Sequence, residues 1–185
     1  HQDAQILKAS ILLARKQYDE SFKLLQELKA ANVTKPEVYL ITASAHLRQN
    51  DRQQAERAYR DGIEANPDSV VIHLALAKFY SDGGQNRQAA EVMQRVIELQ
   101  PENVSHRFNL ANLYWADGRM QAAHEIIDGI LSSDPANENY RLMAAKFYQA
   151  KSEFDAGERV LSTGIGQNEK SFKLRLMLAE LYVNS

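Results

Sequence analysis

The sequence predicts an all-α protein built as a stack of helical hairpins, and two observations support that prediction. Alanine recurs every 34 residues, at Ala9, Ala43, Ala77, Ala111, Ala145 and Ala179. Each period also contains two apolar blocks with helical spacing, separated by a short turn. A fixed period of this length indicates one supersecondary unit copied along the chain. Function is therefore to be sought on a repetitive surface.

Three further series keep the same period. Tyrosine recurs at Tyr80, Tyr114, Tyr148 and Tyr182, alanine at Ala55, Ala89 and Ala123, and proline at Pro67, Pro101 and Pro135. A small residue lets two helices approach closely, whereas leucine and tyrosine fill the space between neighbouring hairpins. We therefore expect these positions to form the core, because a single hairpin cannot cover its own apolar face.

Composition limits the possible classes of protein. The 185 residues are 44% hydrophobic and 25% charged, which is typical of a globular chain. A net charge of −2 and a pI near 6.2 argue against a nucleic-acid partner. Cysteine is absent, which excludes disulfides and thiolate zinc sites, and no apolar run is long enough to span a membrane. Because the chain begins with His1 rather than Met, we expect a fragment of a longer protein.

The stretch from Ser69 to Pro101 shows how each hairpin is built. Its two apolar blocks flank the segment 81–86, whose Asp, Gly and Asn residues end one helix and begin the next. Proline then stops the second helix, and a following Asn, Asp or Ser provides an N-cap. Applied along the chain, this pattern predicts eleven antiparallel helices within 2–183 and no strand. The expected turns lie at about 15–19, 49–52, 82–86, 116–119 and 150–153.

These residues resemble a known family. Leu76-Ala77-x-x-Tyr80, followed by Gly84, Ala89 and Pro101, is similar to the tetratricopeptide repeat, and the next 34 residues match equally well. The resemblance implies a right-handed α-solenoid of about five hairpins plus one additional C-terminal helix, forming a single domain. Its repeats are expected at about 2–35, 36–69, 70–103, 104–137 and 138–171, with a half repeat at 172–185.

Some repeats depart from this pattern. Ser21 replaces alanine and Pro36 is displaced to the start of a helix, while the second repeat has His46 for tyrosine and Asn50 for glycine. The fifth repeat lacks its closing proline and has glycine at 157 and 164. Since a glycine inside a helix costs roughly 1 kcal/mol relative to alanine, we expect this repeat to be the least stable and its amides, over 155–183, to exchange faster than those of 70–135.

The resemblance also implies where a partner binds. Tetratricopeptide proteins typically bind a peptide or protein segment on a concave face lined by the first helix of each repeat. The candidate peptide-binding residues on that face are Arg48, Lys78, Asn109, Asn112, Trp115 and Lys146. An asparagine amide can pair with both N–H and C=O groups of an extended ligand. The alternative is that Trp115 and Phe108 pack against neighbouring first helices and that the lysines are merely solvated.

Other functions are less well supported by the sequence. The carboxylate clamp of co-chaperones is not matched, because only Asn109 fits while Leu74 and Met143 stand at positions that require Lys and Arg. The histidines lack the spacing of a metal site, and no nucleophile has a base with local support, so we expect no cofactor, no metal and no enzyme. RNA binding by related 35-residue repeats conflicts with the 34-residue period and the acidic balance.

A second class of function remains open at the C-terminal end. Segment 172–183 is rich in leucine, which suggests a structural assembly module that self-associates or joins a larger complex through its terminal helices. The style of the turns is similar to that of bacterial tetratricopeptide proteins. It leaves the compartment open between the bacterial cell envelope or periplasm and the cytoplasm.

Overall fold

The computed structural model describes residues 1–184, and every helix or strand it assigns in that range is α-helical. The eleven helices of this range are α1 Gln2–Ala14, α2 Tyr18–Ala30, α3 Pro36–Arg48, α4 Arg52–Ala65, α5 Val70–Asp82, α6 Asn86–Leu99, α7 Val104–Ala116, α8 Met120–Ser133, α9 Glu138–Ala150, α10 Phe154–Gln167 and α11 Phe172–Asn184. The predicted helix number, the predicted turns and the expected lack of strands are confirmed within residues 1–184. Pro36 is the first residue of α3, where its missing N–H costs nothing.

The helices form two compact units. The first, His1–Gln100, contains α1–α6, and the second, which begins at Pro101, contains α7–α11. Each odd-numbered helix from α1 to α9 packs against the even-numbered helix that follows it, and within each unit odd-numbered helices also pack against one another. We call the odd-numbered helices A helices and the even-numbered ones B helices. Neighbouring hairpins within a unit are therefore joined partly through their A helices.

The turn inside each hairpin contains one left-handed residue, and these residues are also 34 positions apart. They are Lys16, Asn50, Gly84, Gly118 and Ser152, with φ values of 62°, 60°, 73°, 77° and 60°. In each case the next N–H donates a hydrogen bond to a carbonyl five residues back, as from Gln85 to Tyr80 at 2.9 Å. This is the Schellman geometry that ends a helix, for which glycine is the preferred residue. Lys16 and Ser152 adopt the left-handed conformation although they have a side chain, which makes it less favourable than for glycine.

Small residues bring the two helices of each hairpin together. Ala9, Ala43, Ala77, Ala111 and Ala145 of the A helices are buried, as are Ser21, Ala55, Ala89, Ala123 and Gly157 of the B helices. The serine is accommodated because its hydroxyl donates to the Ala9 carbonyl oxygen at 2.9 Å. At Gly157, a Cβ would stand 3.3 Å from both methyl groups of Leu181. The glycine therefore allows α11 to approach α10 closely.

The last members of two series are not core residues, contrary to expectation. Ala179 and Tyr182 of α11 are exposed, although their equivalents Ala145 and Tyr148 in α9 are buried. Leu174, Met177 and Leu181 form the buried face of α11, together with Ala145 and Leu161. The sequence period marks which residues are equivalent, but burial also requires a neighbouring helix on the same face. Within residues 1–184 no helix follows α11 to cover that face.

Candidate interaction surface

An apolar cleft lies on the A helices of the first unit. It has a volume of 510 Å³ and is bordered by α1, α3 and the segment between α2 and α3. Ile6, Leu7, Leu40 and Ile41 supply its apolar wall, and Leu7 is 62% exposed. An exposed leucine at the edge of a concave apolar surface is a potential anchor point for a partner side chain.

One end of this cleft is charged. The Lys35 ammonium donates to the Asp3 carboxylate, and this hydrogen bond lowers the pKa of Asp3 and raises that of Lys35. Glu37 also borders the cleft. The cleft therefore combines apolar walls with a polar rim, an arrangement suited to a segment with an apolar side chain and adjacent polar groups.

The two candidate cations of the first unit, Arg48 and Lys78, are exposed on α3 and α5. These two A helices pack against each other. The Lys78 ammonium contacts both carboxylate oxygens of Asp82, one turn later on the same helix, at 3.0 Å. An exposed pair of this kind contributes little to stability, so a partner carboxylate could compete for Lys78 at small cost.

Asn109 and Asn112 are exposed on α7, one turn apart. The Asn112 amide donates to the Phe108 carbonyl oxygen at 3.0 Å, which fixes the side chain along its own helix. That bond uses one of the two amide hydrogens. The carbonyl oxygen and the second hydrogen of the amide remain available in principle for a ligand backbone.

Trp115 has a structural role in addition to any binding role. Its ring meets Phe147 of α9 edge to face, with centroids 5.8 Å apart, and lies at the same distance from His124 of α8. Trp115 is half-buried at the margin of the second unit's core, in which Phe108 is fully packed. The tryptophan therefore offers only part of its surface to a partner. The interpretation of Phe108 as a core residue agrees with its burial.

Lys146 is exposed on α9, which packs against α7. Among the residues that the structure describes, no carboxylate lies within 4.0 Å of its ammonium group. The second unit thus places Asn109, Asn112, Trp115 and Lys146 on two packed A helices, and the first unit does the same for Arg48 and Lys78. A single surface shared by all six residues remains a prediction.

His46, the residue in the tyrosine position, packs as an aromatic group. Its ring centroid lies 4.6 Å from that of Phe22, and burial lowers its pKa. Across residues 1–184 no three His, Cys, Asp or Glu side chains gather in a way that could hold a metal ion. Over the same range no helix is both long and apolar enough to cross a membrane.

The contribution of α1 to the apolar cleft was not predicted from the sequence. Leu7 stands one 34-residue period before Ile41, which borders the same cleft. Asn109 lies two further periods along the same series of positions, 34 residues apart. The spacing that selected Asn109 would therefore also have selected Leu7. The signal was present in the spacing, but the less regular first repeat obscured it.

Comparisons with known proteins agree with this architecture. A model of the tetratricopeptide repeat family matches residues 46–102 and again 82–147. A tetratricopeptide repeat protein from Parabacteroides merdae is 18% identical, with 99% of this chain and 73% of that chain covered and a TM-score of 0.62. The structure of pilF from Pseudomonas aeruginosa is 14% identical, with 99% of this chain and 85% of that chain covered and a TM-score of 0.61.

A third solved structure, YrrB, is described as a tetratricopeptide repeat protein with an unusual peptide-binding site. It is 15% identical, with 95% of this chain and 90% of that chain covered and a TM-score of 0.57. At such identities these likenesses show the fold alone. No curated protein matches the sequence. The two family matches together span residues 46–147, more than half of the chain, and the chain belongs to the tetratricopeptide repeat family.

Proposed function

We propose that the chain is a non-enzymatic scaffold that binds a peptide or protein segment along its A helices. Tetratricopeptide repeats typically serve as protein-interaction scaffolds, and one protein of similar fold is described as having a peptide-binding site. The observation that best supports the proposal is the open apolar cleft between α1 and α3, with Leu7 62% exposed at its edge.

The cleft suggests the chemistry of the segment in the first unit. Its walls of Ile6, Leu7, Leu40 and Ile41 favour an apolar side chain, whose burial contributes roughly 1.5–3 kcal/mol. The polar rim at Lys35 and its neighbours would face the more hydrophilic parts of the same segment. Affinity would then depend on one or two apolar anchors rather than on the total contact area.

The second unit favours polar recognition. Asn109 and Asn112 would hold the ligand backbone, and Lys146 would attract a negatively charged residue of the ligand. Trp115 would add apolar surface beside them, because only part of its ring is used against Phe147. Such a surface selects an extended segment with exposed backbone groups.

The proposal can be tested by capture and then by measured affinity. The chain is used to capture partners from its native lysate, and the partner identified is titrated against Leu7→Asp, Lys78→Glu and Asn112→Ala. Met120→Asp and Arg87→Glu are matched controls, since both residues are exposed on B helices and neither is among the candidate binding residues. Weaker binding by the first set alone supports the proposal. Equal binding by both sets, with unchanged melting curves, contradicts it.

A second candidate function, self-association through α11, is favoured by one specific observation. Phe172, Leu176, Tyr182 and Val183 of α11 are exposed, at 74%, 48%, 54% and 85%. At about 25 cal/mol per Å² of apolar area, covering these side chains would favour association by a few kcal/mol. Sedimentation measures the mass of the chain as its concentration rises. The double variant Phe172→Ser with Leu176→Ser should reduce self-association, whereas Met120→Ser, the control, should leave it unchanged. A concentration-independent monomer mass for the unsubstituted chain would contradict it.

A further inference from the structure

The B helices of the second unit border a cleft that none of the candidate binding residues lines. It lies between α8 and α10, has a volume of 490 Å³ and is open to solvent. His124, Asp128, Arg141, Tyr148 and Arg159 provide its ionisable groups. Two arginines therefore share the cleft with one carboxylate, and the charge of the cleft is positive.

Arg141 is a buried cation without a counter-charge. It is only 6% exposed, and its guanidinium donates to the carbonyl oxygens of Val160 at 3.2 Å and Pro135 at 2.8 Å and to the Gln167 side-chain oxygen at 2.8 Å. All three acceptors are neutral. No carboxylate of the described chain lies within 4.0 Å of it. Burial lowers the pKa of Arg141, because a desolvated charge is costly when no opposite charge compensates it.

Local packing holds this arginine in place. Gly164 of α10 faces it, and a Cβ at that position would lie 2.4 Å from the Arg141 Cδ and 2.8 Å from the Leu174 Cδ1. The glycine that the sequence analysis regarded as a weakness therefore provides the space for the arginine stem. With three hydrogen bonds at one end and this packing along the stem, the guanidinium is preorganised.

Arg159 places a second cation at the exposed side of the cleft. Within residues 1–184 it has no ion pair, although Asp128 borders the same cleft. Burial raises the pKa of Tyr148, Asp128 raises it further and Arg159 lowers it, so both charges act on the same phenol. Arg141, Arg159 and this phenol line the same cleft.

The arginines of the corresponding cleft in the first unit are paired with carboxylates. That cleft lies between α4 and α6 and contains Arg60 and Arg95. Arg60 contacts Glu56 at 2.9 Å, and Arg95 contacts Asp68 and Glu98, each at 2.9 Å. Each arginine there has a carboxylate partner from the chain itself. Of these two clefts, the one in the second unit leaves both arginines without a carboxylate partner among the described residues.

We propose that the cleft between α8 and α10 binds a carboxylate group, presented by an acidic segment of a partner protein, with Arg141 and Arg159 as its recognition residues. The planar guanidinium of Arg159 matches the two oxygens of a carboxylate, while Arg141, whose Nη2 hydrogens are both engaged, contributes positive charge at the wall of the cleft. A cleft of this size accommodates a few residues. The two arginines and Asp128 together carry one net positive charge, which a single carboxylate neutralises, whereas a phosphate with nearly two negative charges would leave the cleft negative.

The site is tested with small probes, which do not require the natural partner. A blocked glycine–glutamate–glycine tripeptide is titrated at constant ionic strength, and the side-chain Nε–Hε signals of arginine are followed by NMR. The same tripeptide with glutamine is the matched control. We expect saturable shifts of the Arg141 and Arg159 signals with glutamate only. Arg159→Gln should weaken binding about tenfold, as expected for one charge-assisted hydrogen bond.

Two further variants distinguish this site from general attraction to a positive surface. Asp128→Asn should tighten binding because it removes the only carboxylate that borders the cleft, and Arg87→Gln in the first unit should leave it unchanged. Equal binding of both tripeptides, or equal effects of Arg159→Gln and Arg87→Gln, would overturn the site. Tighter binding of inorganic phosphate than of the glutamate tripeptide would overturn the assignment to a carboxylate.

Discussion

The contact between Gly164 and Arg141 predicts the effect of adding one methyl group to α10. In an exposed helix interior, Gly→Ala raises the free energy of unfolding by roughly 1 kcal/mol, because alanine loses less conformational entropy on folding. At Gly164 the new Cβ would stand 2.4 Å from the Arg141 Cδ and 2.8 Å from the Leu174 Cδ1, so at least one of these groups must move. The position is enclosed on two sides, by α9 and by α11.

The magnitude follows from these opposing effects. Overpacking typically costs about 1–3 kcal/mol, and displacement of Arg141 would weaken some of its three hydrogen bonds by about 1 kcal/mol each. With one hydrogen bond weakened and after the gain in helix propensity, we expect Gly164→Ala to lower the free energy of unfolding by roughly 1–3 kcal/mol. Gly129→Ala in α8 is the matched control, since a Cβ there meets no atom within 4 Å. It should raise the free energy of unfolding by roughly 1 kcal/mol.

Urea unfolding followed by far-UV circular dichroism measures both variants. The midpoints should shift in opposite directions with unchanged slopes, because neither change alters the surface exposed on unfolding. If Gly164→Ala stabilised the protein as much as Gly129→Ala, Arg141 would not be held where the structure places it. The argument for a preorganised guanidinium would then be refuted.

Three further outcomes are expected. Because Ser152 and Gly118 both have positive φ, Ser152→Gly should raise the free energy of unfolding by roughly 0.5–1 kcal/mol and Gly118→Ala should lower it by about 1 kcal/mol. Urea midpoints that shift in the opposite directions would contradict this expectation. Burial raises the pKa of Tyr148 to about 12, so the stability it contributes is complete below pH 10 and lost as pH rises through 12. The free energy of unfolding should therefore fall less between pH 10 and 12 in Tyr148→Phe than in the unsubstituted chain. Identical pH dependence of the two proteins would contradict this expectation. Amides of 155–183 should exchange with deuterium faster than those of 70–135, because α11 is covered on one face only; uniform protection would refute this.

Much of the fold could be predicted because it depends on local chemistry that repeats. The left-handed turn position was marked by Gly84 and Gly118, and the register extends it to Lys16 and Ser152, whose residue types alone do not indicate it. The exposure of Ala179 could not be predicted in this way. Its equivalents are all buried, but burial depends on whether another helix covers the same face.

The candidate site was less accessible to sequence reasoning. Spacing placed Trp115 on the A-helix surface, but its contact with Phe147, 32 residues later in the sequence, depends on how their two helices pack. The pairing of Arg141 with Gly164 likewise joins two helices through side-chain volume, and a glycine inside a helix reads in sequence only as a loss of stability. Both contacts depend on the distance between side chains of different helices, which the 34-residue period of the sequence does not specify.

The central claim, that the A helices bind the partner, is tested most directly by calorimetric titration of the captured partner. The double variant Leu7→Asp with Asn112→Ala changes one A-helix surface residue in each unit. The control, Met120→Asp with Arg87→Glu, changes one exposed B-helix residue in each unit. We expect the first to lose at least about 1–2 kcal/mol of binding free energy and the control to bind as the unsubstituted chain does. Equal affinities for the two double variants would contradict the claim.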